Sequence, residues 1–237
     1  MDDRHRRQAF PRTALTALAL AGVLLSACAP LQAPERAATP AVPAVPAAPA
    51  AQRLTLADGQ LVLQVYRDGT LQRLGHNHIV SSTALSGWVE LSDTQGAGRF
   101  RVELPVDSLV VDDAALRAAA GADFSATVSE ADRGGTRRNM LGPGLLDAAT
   151  YPSIVAEGDL ASRAGGEFQL PLRLWVKGVA HELLVPVTVR GSGAGFDIES
   201  HFIVTHAQLG LVPFSVAMGA IRVREDIAVT LRMRAAP

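Results

Sequence analysis

The sequence predicts an almost all-β domain of about eight antiparallel strands with a short helical insert, and three observations carry that prediction. Apolar and polar residues alternate with period two in run after run, which places one apolar face on each strand. Turn-forming glycines separate the runs, as at Lys177-Gly178 and at Gly191-Ser192-Gly193-Ala194-Gly195. A single stretch, residues 112–149, instead abounds in Ala, Arg, Asp and Glu. Strands with one apolar face must bury those faces together, so the domain closes as a barrel or packs as a sandwich, and closure also removes exposed edges.

Taken in order, Leu61 to Tyr66 is the first predicted strand and the long run Ile79 to Leu91 the second. Phe100, Val102, Leu104 and Val106 share one face of the third. The segment 112–149 then reads as one or two short helices lying across the barrel, broken at Gly121 and at Gly134-Gly135. Ser153 to Leu160 resumes the sheet. In the next run Phe168, Leu170, Leu172, Leu174 and Val176 face one way, and after the Lys-Gly turn Leu183, Val185, Val187 and Val189 do the same. Phe196, Ile198, Ser200, Phe202 and Val204 repeat the pattern, and Ile227, Val229, Leu231 and Met233 close it.

Ahead of this domain the chain reads as targeting sequence. Arg4, Arg6, Arg7 and Arg12 precede an uncharged apolar run from Thr13 to Leu25. At ~1.5 Å per residue that run makes roughly 20 Å of helix, short of the ~30 Å hydrocarbon core, so it is an export signal and not a span. It ends in Leu25-Ser26-Ala27-Cys28, which resembles the lipobox of bacterial lipoproteins. Cys28 is the chain's one cysteine, follows the apolar run directly and has small neighbours, all of which favour lipidation over ordinary secretion with cleavage after an alanine. Two or more acyl chains, palmitate among them, anchor stably where one does not. Ala29 stands where an Asp would mark inner-membrane retention, so the resemblance implies an outer-membrane lipoprotein facing the periplasm.

Residues 29–52 are dominated by Ala and Pro and favour extended, polyproline-like chain, a linker reaching up to roughly 75 Å. The domain itself spans 53–237, within the range of one folded unit. Removing the four Arg and two Asp of residues 1–28 from the totals of 22 and 23 leaves 18 basic and 21 acidic residues. That balance predicts neither nucleic-acid binding nor a polybasic membrane patch. With Cys28 consumed by the anchor, the domain has no disulfide and no cysteine metal site.

Over most of residues 61–235, ordered segments of the chain resemble the YceI family of periplasmic, polyisoprenoid-binding proteins. Leu85-Ser86-Gly87-Trp88-Val89 resembles the family's early Gly-containing strand, and Gly144 to Ile154 its stretch ending in Tyr-Pro before a strand. Leu172-Arg173-Leu174-Trp175-Val176-Lys177-Gly178-Val179 is similar to its hairpin, and Val223 to Val229 to its terminal strand. Gln208-Leu209-Gly210-Leu211 stands where the family shows Asp-Phe-Gly-Ile, a departure that removes an acid and an aromatic ring. The resemblance implies an eight-stranded, lipocalin-like antiparallel barrel with an apolar tunnel for a polyisoprenoid, an isoprenoid quinone or a fatty acid, and no catalytic residues or other cofactor.

The inward rows suit that role on physical grounds. At ~0.8 kcal/mol per buried CH₂-sized group, one prenyl unit gains roughly 3 kcal/mol or more before ordering costs, so two or three suffice for micromolar binding. The expected lining is Phe168, Leu170, Leu172, Leu174, Leu183, Val185, Val187, Phe196, Ile198, Phe202, Val229 and Leu231. The same rows also suit a solid core, because a small barrel can be filled by its own side chains. An envelope interaction protein with a filled barrel is therefore one alternative. Another is a metal-binding or metal-dependent protein: His76 and His78 are two apart on a strand, with His206 or His181 as a distant third ligand. Without a nearby carboxylate or cysteine, the blander reading is polar residues at a barrel mouth. Arg133 and Arg137 in the insert share an i,i+4 face if helical, and with Arg138 could meet a phosphate head group or simply solvent.

Overall fold

The computed structural model describes residues 52–91, 98–160, 166–192 and 194–237. Cys28, the preceding signal and the linker up to residue 51 lie outside the described residues. Among the described residues there are eleven strands and two α-helices: β1 (Gln52–Asp68), β2 (His78–Ser82), β3 (Ser86–Leu91), β4 (Gly98–Pro105), β5 (Val110–Val111), α1 (Ala114–Ala119), α2 (Glu130–Leu141), β6 (Ser153–Leu160), β7 (Gly166–Val176), β8 (Val179–Ser192), β9 (Gly195–Thr205), β10 (Ser215–Val216) and β11 (Ile221–Ala236).

Eight of these form a closed antiparallel circuit, β1-β3-β4-β6-β7-β8-β9-β11, completed by the pairing of β11 with β1. The barrel predicted from the alternation is thus present. Short β2 and β5 continue from β1 at one end, and β10 pairs only with β11. The register explains why the apolar rows meet inside. Leu61, Leu63 and Val65 of β1 stand opposite Leu231, Val229 and Ile227, which in turn face Ser200, Phe202 and Val204. Phe168, Leu170 and Leu172 face Val187, Val185 and Leu183 across the next pair. A one-residue slip in any of these ladders would turn a whole apolar row to solvent.

The Lys-Gly turn forms as expected. Val176 pairs with Val179, and the two residues between them, Lys177 (φ 49°) and Gly178 (φ 73°), both adopt positive φ, the requirement of a type I′ hairpin. At Gly158 a Cβ would stand 2.9 Å from the Pro171 carbonyl oxygen and 3.0 Å from the Phe100 ring, so only glycine lets that ring lie against the wall. Outside, cross-strand ion pairs line the wall: Glu90 joins Arg53 at 3.0 Å and Arg99 at 3.2 Å, and Glu157 joins Arg101 at 3.0 Å and the Trp175 indole at 3.1 Å.

Four details correct the sequence reading. The first strand begins at Gln52 rather than Leu61, because β1 is long enough to pair with β3 at one end and β2 at the other. The run Ile79–Leu91 divides into β2 and β3, separated at residues 83–85 where Ser82 Oγ accepts from the Ala84 amide. The turn read over Gly191–Gly195 is tighter, since Ser192 already pairs with Gly195. Gly121, with φ 85°, does end the first helical segment, but Gly134 and Gly135 lie within an unbroken α2. That helix is capped by Ser129, whose hydroxyl accepts from the Asp132 amide, and carries Glu130 and Asp132 in its first turn. Its Met140 is buried with Val80, Leu104, Val106 and Leu109, so tertiary packing outweighs the ~1 kcal/mol that each glycine costs.

The hairpin ends of β1, β3 and β11 meet in a small cluster of Leu54, Leu91 and Ala235 with Val89, Leu160, Phe196 and Ile198 packed against it. The opposite end carries the irregular segments: the 69–77 loop, the insert with both helices, and the 206–220 loop. This asymmetry makes one end a mouth.

A hollow barrel and its mouth

The interior is not filled by its own side chains. It holds a cavity of about 820 Å³, within the range of small-molecule sites. It is lined by Phe168, Leu170, Leu172 and Leu174 from β7, Leu183, Val185 and Val187 from β8, Phe196, Ile198 and Phe202 from β9, and Val229 and Leu231 from β11, whereas Val106 lies outside it. The wall is completed by residues the sequence reading did not assign to a site, including Leu61, Leu63 and Val65 of β1 and Phe100, Val102 and Leu104 of β4. The same period-two alternation marks them, so that signal could have found them. At the mouth the 206–220 loop adds Leu209, Leu211, Val212 and Phe214, the last two being exposed.

Polar side chains reach the cavity chiefly near the mouth. His78 is fixed from behind: its Nδ1–H donates to Asp112 Oδ2 at 2.7 Å, and its Nε2 shares a hydrogen bond with Thr136 Oγ1 of α2 at 3.3 Å. Asp112 is fully enclosed, its side chain at 0% exposure, and holds a left-handed φ of 57°. Its Oδ1 accepts from the Ile79 amide at 2.9 Å and from Arg117 at 2.6 Å. Burial opposes ionisation of this group, yet the hydrogen bonds from His78, the Ile79 amide and Arg117 together hold its carboxyl below the ordinary aspartate value of 3.8. Arg117 also donates to the carbonyls of Asn77, Phe124 and Ala126, so one guanidinium ties α1 and the following turn to the barrel rim. Asp113, adjacent in sequence, instead caps α1 by accepting from the Leu116 amide at 3.0 Å.

The histidines do not assemble a metal centre. His76 and His78 both line the mouth, with ring centroids 6.2 Å apart, but the carboxylate beside His78 is committed to Arg117. His206 donates through Nδ1 to the Glu225 carbonyl at 2.9 Å, and His181 packs against Gly210. Among the described residues no group of three or more His, Cys, Asp or Glu could hold a metal ion. Of the arginines in the insert, Arg137 donates to the carbonyls of Asp107 and Leu109 and so is structural, whereas Arg138 lines the cavity. At the loop that departs from the family pattern, Gln208 Oε1 accepts from the Thr205 amide at 2.8 Å and Leu209 joins the cavity wall.

A closed eight-stranded antiparallel barrel around one apolar cavity, with a helical insert at the mouth, defines a lipocalin-like architecture. The chain belongs to the YceI-like domain family, whose model matches residues 69–235 and whose members are binding proteins rather than enzymes. Among solved structures it is similar to Burkholderia cenocepacia BcnA, at 16% identity and a TM-score of 0.53, over 75% of this chain and 96% of that one. It is also similar to a polyisoprenoid binding domain from Saccharophagus degradans implicated in plant cell wall breakdown, at 13% identity and a TM-score of 0.49, over 78% and 98%. The Campylobacter jejuni YCEI protein matches at 8% identity and a TM-score of 0.45, over 65% and 81%. Comparison with curated proteins returns no match.

Proposed function

We propose that this protein is a lipid-anchored periplasmic carrier that holds one long apolar molecule in its barrel: a polyisoprenoid, an isoprenoid quinone or a fatty acid. The cavity is the observation that supports this most, because some 820 Å³ of space walled by Leu, Val, Ile and Phe has no affinity for water and is filled best by an alkyl or prenyl chain. Phe168, Leu170, Leu172, Leu174, Leu183, Val185, Val187, Phe196, Ile198, Phe202, Val229 and Leu231 would contact that chain. Family membership supports a binding role. Long chains cross an aqueous gap only when shielded, and a barrel tethered through Cys28 on a Pro/Ala-rich linker would supply that shield close to a membrane.

Organic extraction of protein purified from its native envelope, followed by mass spectrometry, tests the carrier role. One long-chain species in near-equal amount to protein is expected, and lipid-free protein that takes up none would exclude it. The anchor has a separate test. Cys28→Ala should move the protein from the membrane to the soluble periplasmic fraction or stall its processing, and unchanged membrane attachment would refute lipidation.

A further inference from the structure

The chemistry of the cavity wall is one-sided. Arg67, Arg138 and Arg222 line it together with three histidines, yet no Asp or Glu does so among the described residues. The chain has 23 acidic residues, so their exclusion is one of placement. On the outer wall carboxylates alternate with arginines, as in Glu90 between Arg53 and Arg99. The acids nearest the mouth are turned away or already neutralised: Asp112 sits behind His78 in contact with Arg117, Asp68 joins Arg222 at 2.7 Å, and Glu225 Oε1 accepts from the Ala207 amide.

The cationic groups retain capacity. Arg138 makes no hydrogen bond or ion pair among the described residues. Arg67 donates from Nη1 to the Gly75 carbonyl and Arg222 engages Asp68 on one edge, which leaves N–H donors on both guanidiniums. His76, half-buried beside Gly75, has a ring contact with His78, and its side chain has no hydrogen bond among the described residues. The hairpin end of the cavity is apolar, so a chain threaded into the barrel places its polar head at the mouth among these groups.

We infer that the ligand is an anionic amphiphile, a long alkyl or prenyl chain ending in a carboxylate or a phosphate, whose head is held at the mouth by Arg138 and Arg67. This rests on the carrier reading and narrows it: neutral quinones and alcohols lack the charge that the mouth selects. Guanidinium groups bind carboxylate and phosphate alike through charge-assisted hydrogen bonds, so either source satisfies the site.

Displacement of a neutral naphthylamine dye tests the inference with two matched pairs, palmitate against hexadecanol and farnesyl monophosphate against farnesol. At least one anion should bind about tenfold more tightly than its alcohol, and added salt should weaken the anion alone. Preference in the palmitate pair alone identifies a carboxylate ligand, and in the farnesyl pair alone a phosphate ligand. Arg138→Gln, which disturbs no bond, should reduce the anion's affinity roughly three- to tenfold and leave the alcohol's unchanged. Alcohols binding as tightly as their anions, or R138Q acting equally on both, would overturn the charged head while leaving the carrier intact. Failure of all four compounds to displace the dye would remove the carrier reading and this inference with it.

Discussion

Asp112 shows how much of the mouth depends on one side chain. It is enclosed, ionised and shared between His78, Arg117 and the Ile79 amide, so it joins α1 to β2, whose His78 lies 34 residues before Asp112 in sequence. Asp112→Asn keeps the size and tolerates the left-handed φ, but leaves the charge of Arg117 without its buried counter-charge. Breaking a buried pair in this way is expected to cost about 3–5 kcal/mol, measured as a lower urea midpoint. Because folding depresses the Asp112 pKa, its contribution is present above the ordinary value of 3.8 and is lost as pH falls through the folded value. Acid titration of stability should therefore show a fall below about pH 3.8 in the wild type that is shallower in D112N. The neighbouring Asp113 stands before an Ala-rich run, where a helix N-cap has a local signal. Asp112 has none for its role, since nothing local to it points to His78 or Arg117.

At the level of elements, the hairpin and the insert contrast. The Lys177-Gly178 turn was readable because the residue type favours the conformation: Gly178 at φ 73° lies where most other residues are strained. Gly178→Ala should destabilise by about 1–2 kcal/mol in urea denaturation. In α2 the local signal misled, since paired glycines normally break a helix and here cap, charge and the docking of Met140 override them. A Cβ at Gly134 or Gly135 would meet only the flexible end of Arg138, at 3.4 and 3.8 Å. The double variant Gly134→Ala/Gly135→Ala is thus expected to stabilise the protein by about 1–2 kcal/mol, seen as a higher thermal midpoint. A loss of stability would mean that the glycines serve a backbone approach the packing does not reveal. The break between β2 and β3 was missed because Thr83-Ala84-Leu85 contains no Gly or Pro, so the residue types carry no turn signal there.

For the molecule as a whole, the alternating rows made the barrel and its lining legible, because closing eight amphipathic strands leaves the apolar faces nowhere else to go. Whether those rows meet or stand apart was not legible, since that depends on strand tilt and on small residues such as Ala156 and Gly158 in the wall. The mouth was legible only in part, through His76, His78 and the insert; the share of the loops at residues 69–77 and 206–220 was not. Filling the hollow should separate binding from folding. Ala156→Phe points a ring into the cavity and is expected to reduce chain uptake about tenfold or more, with stability within about 1.5 kcal/mol of wild type. The most direct measurement is diffraction from crystals grown with a terminally brominated long-chain fatty acid, using the bromine's anomalous signal to locate it. A single bromine inside the barrel, among Leu172, Val185 and Phe202, is the expected result. Bromine found only on the outer wall, with the interior free of chain density at saturating ligand, would contradict the account.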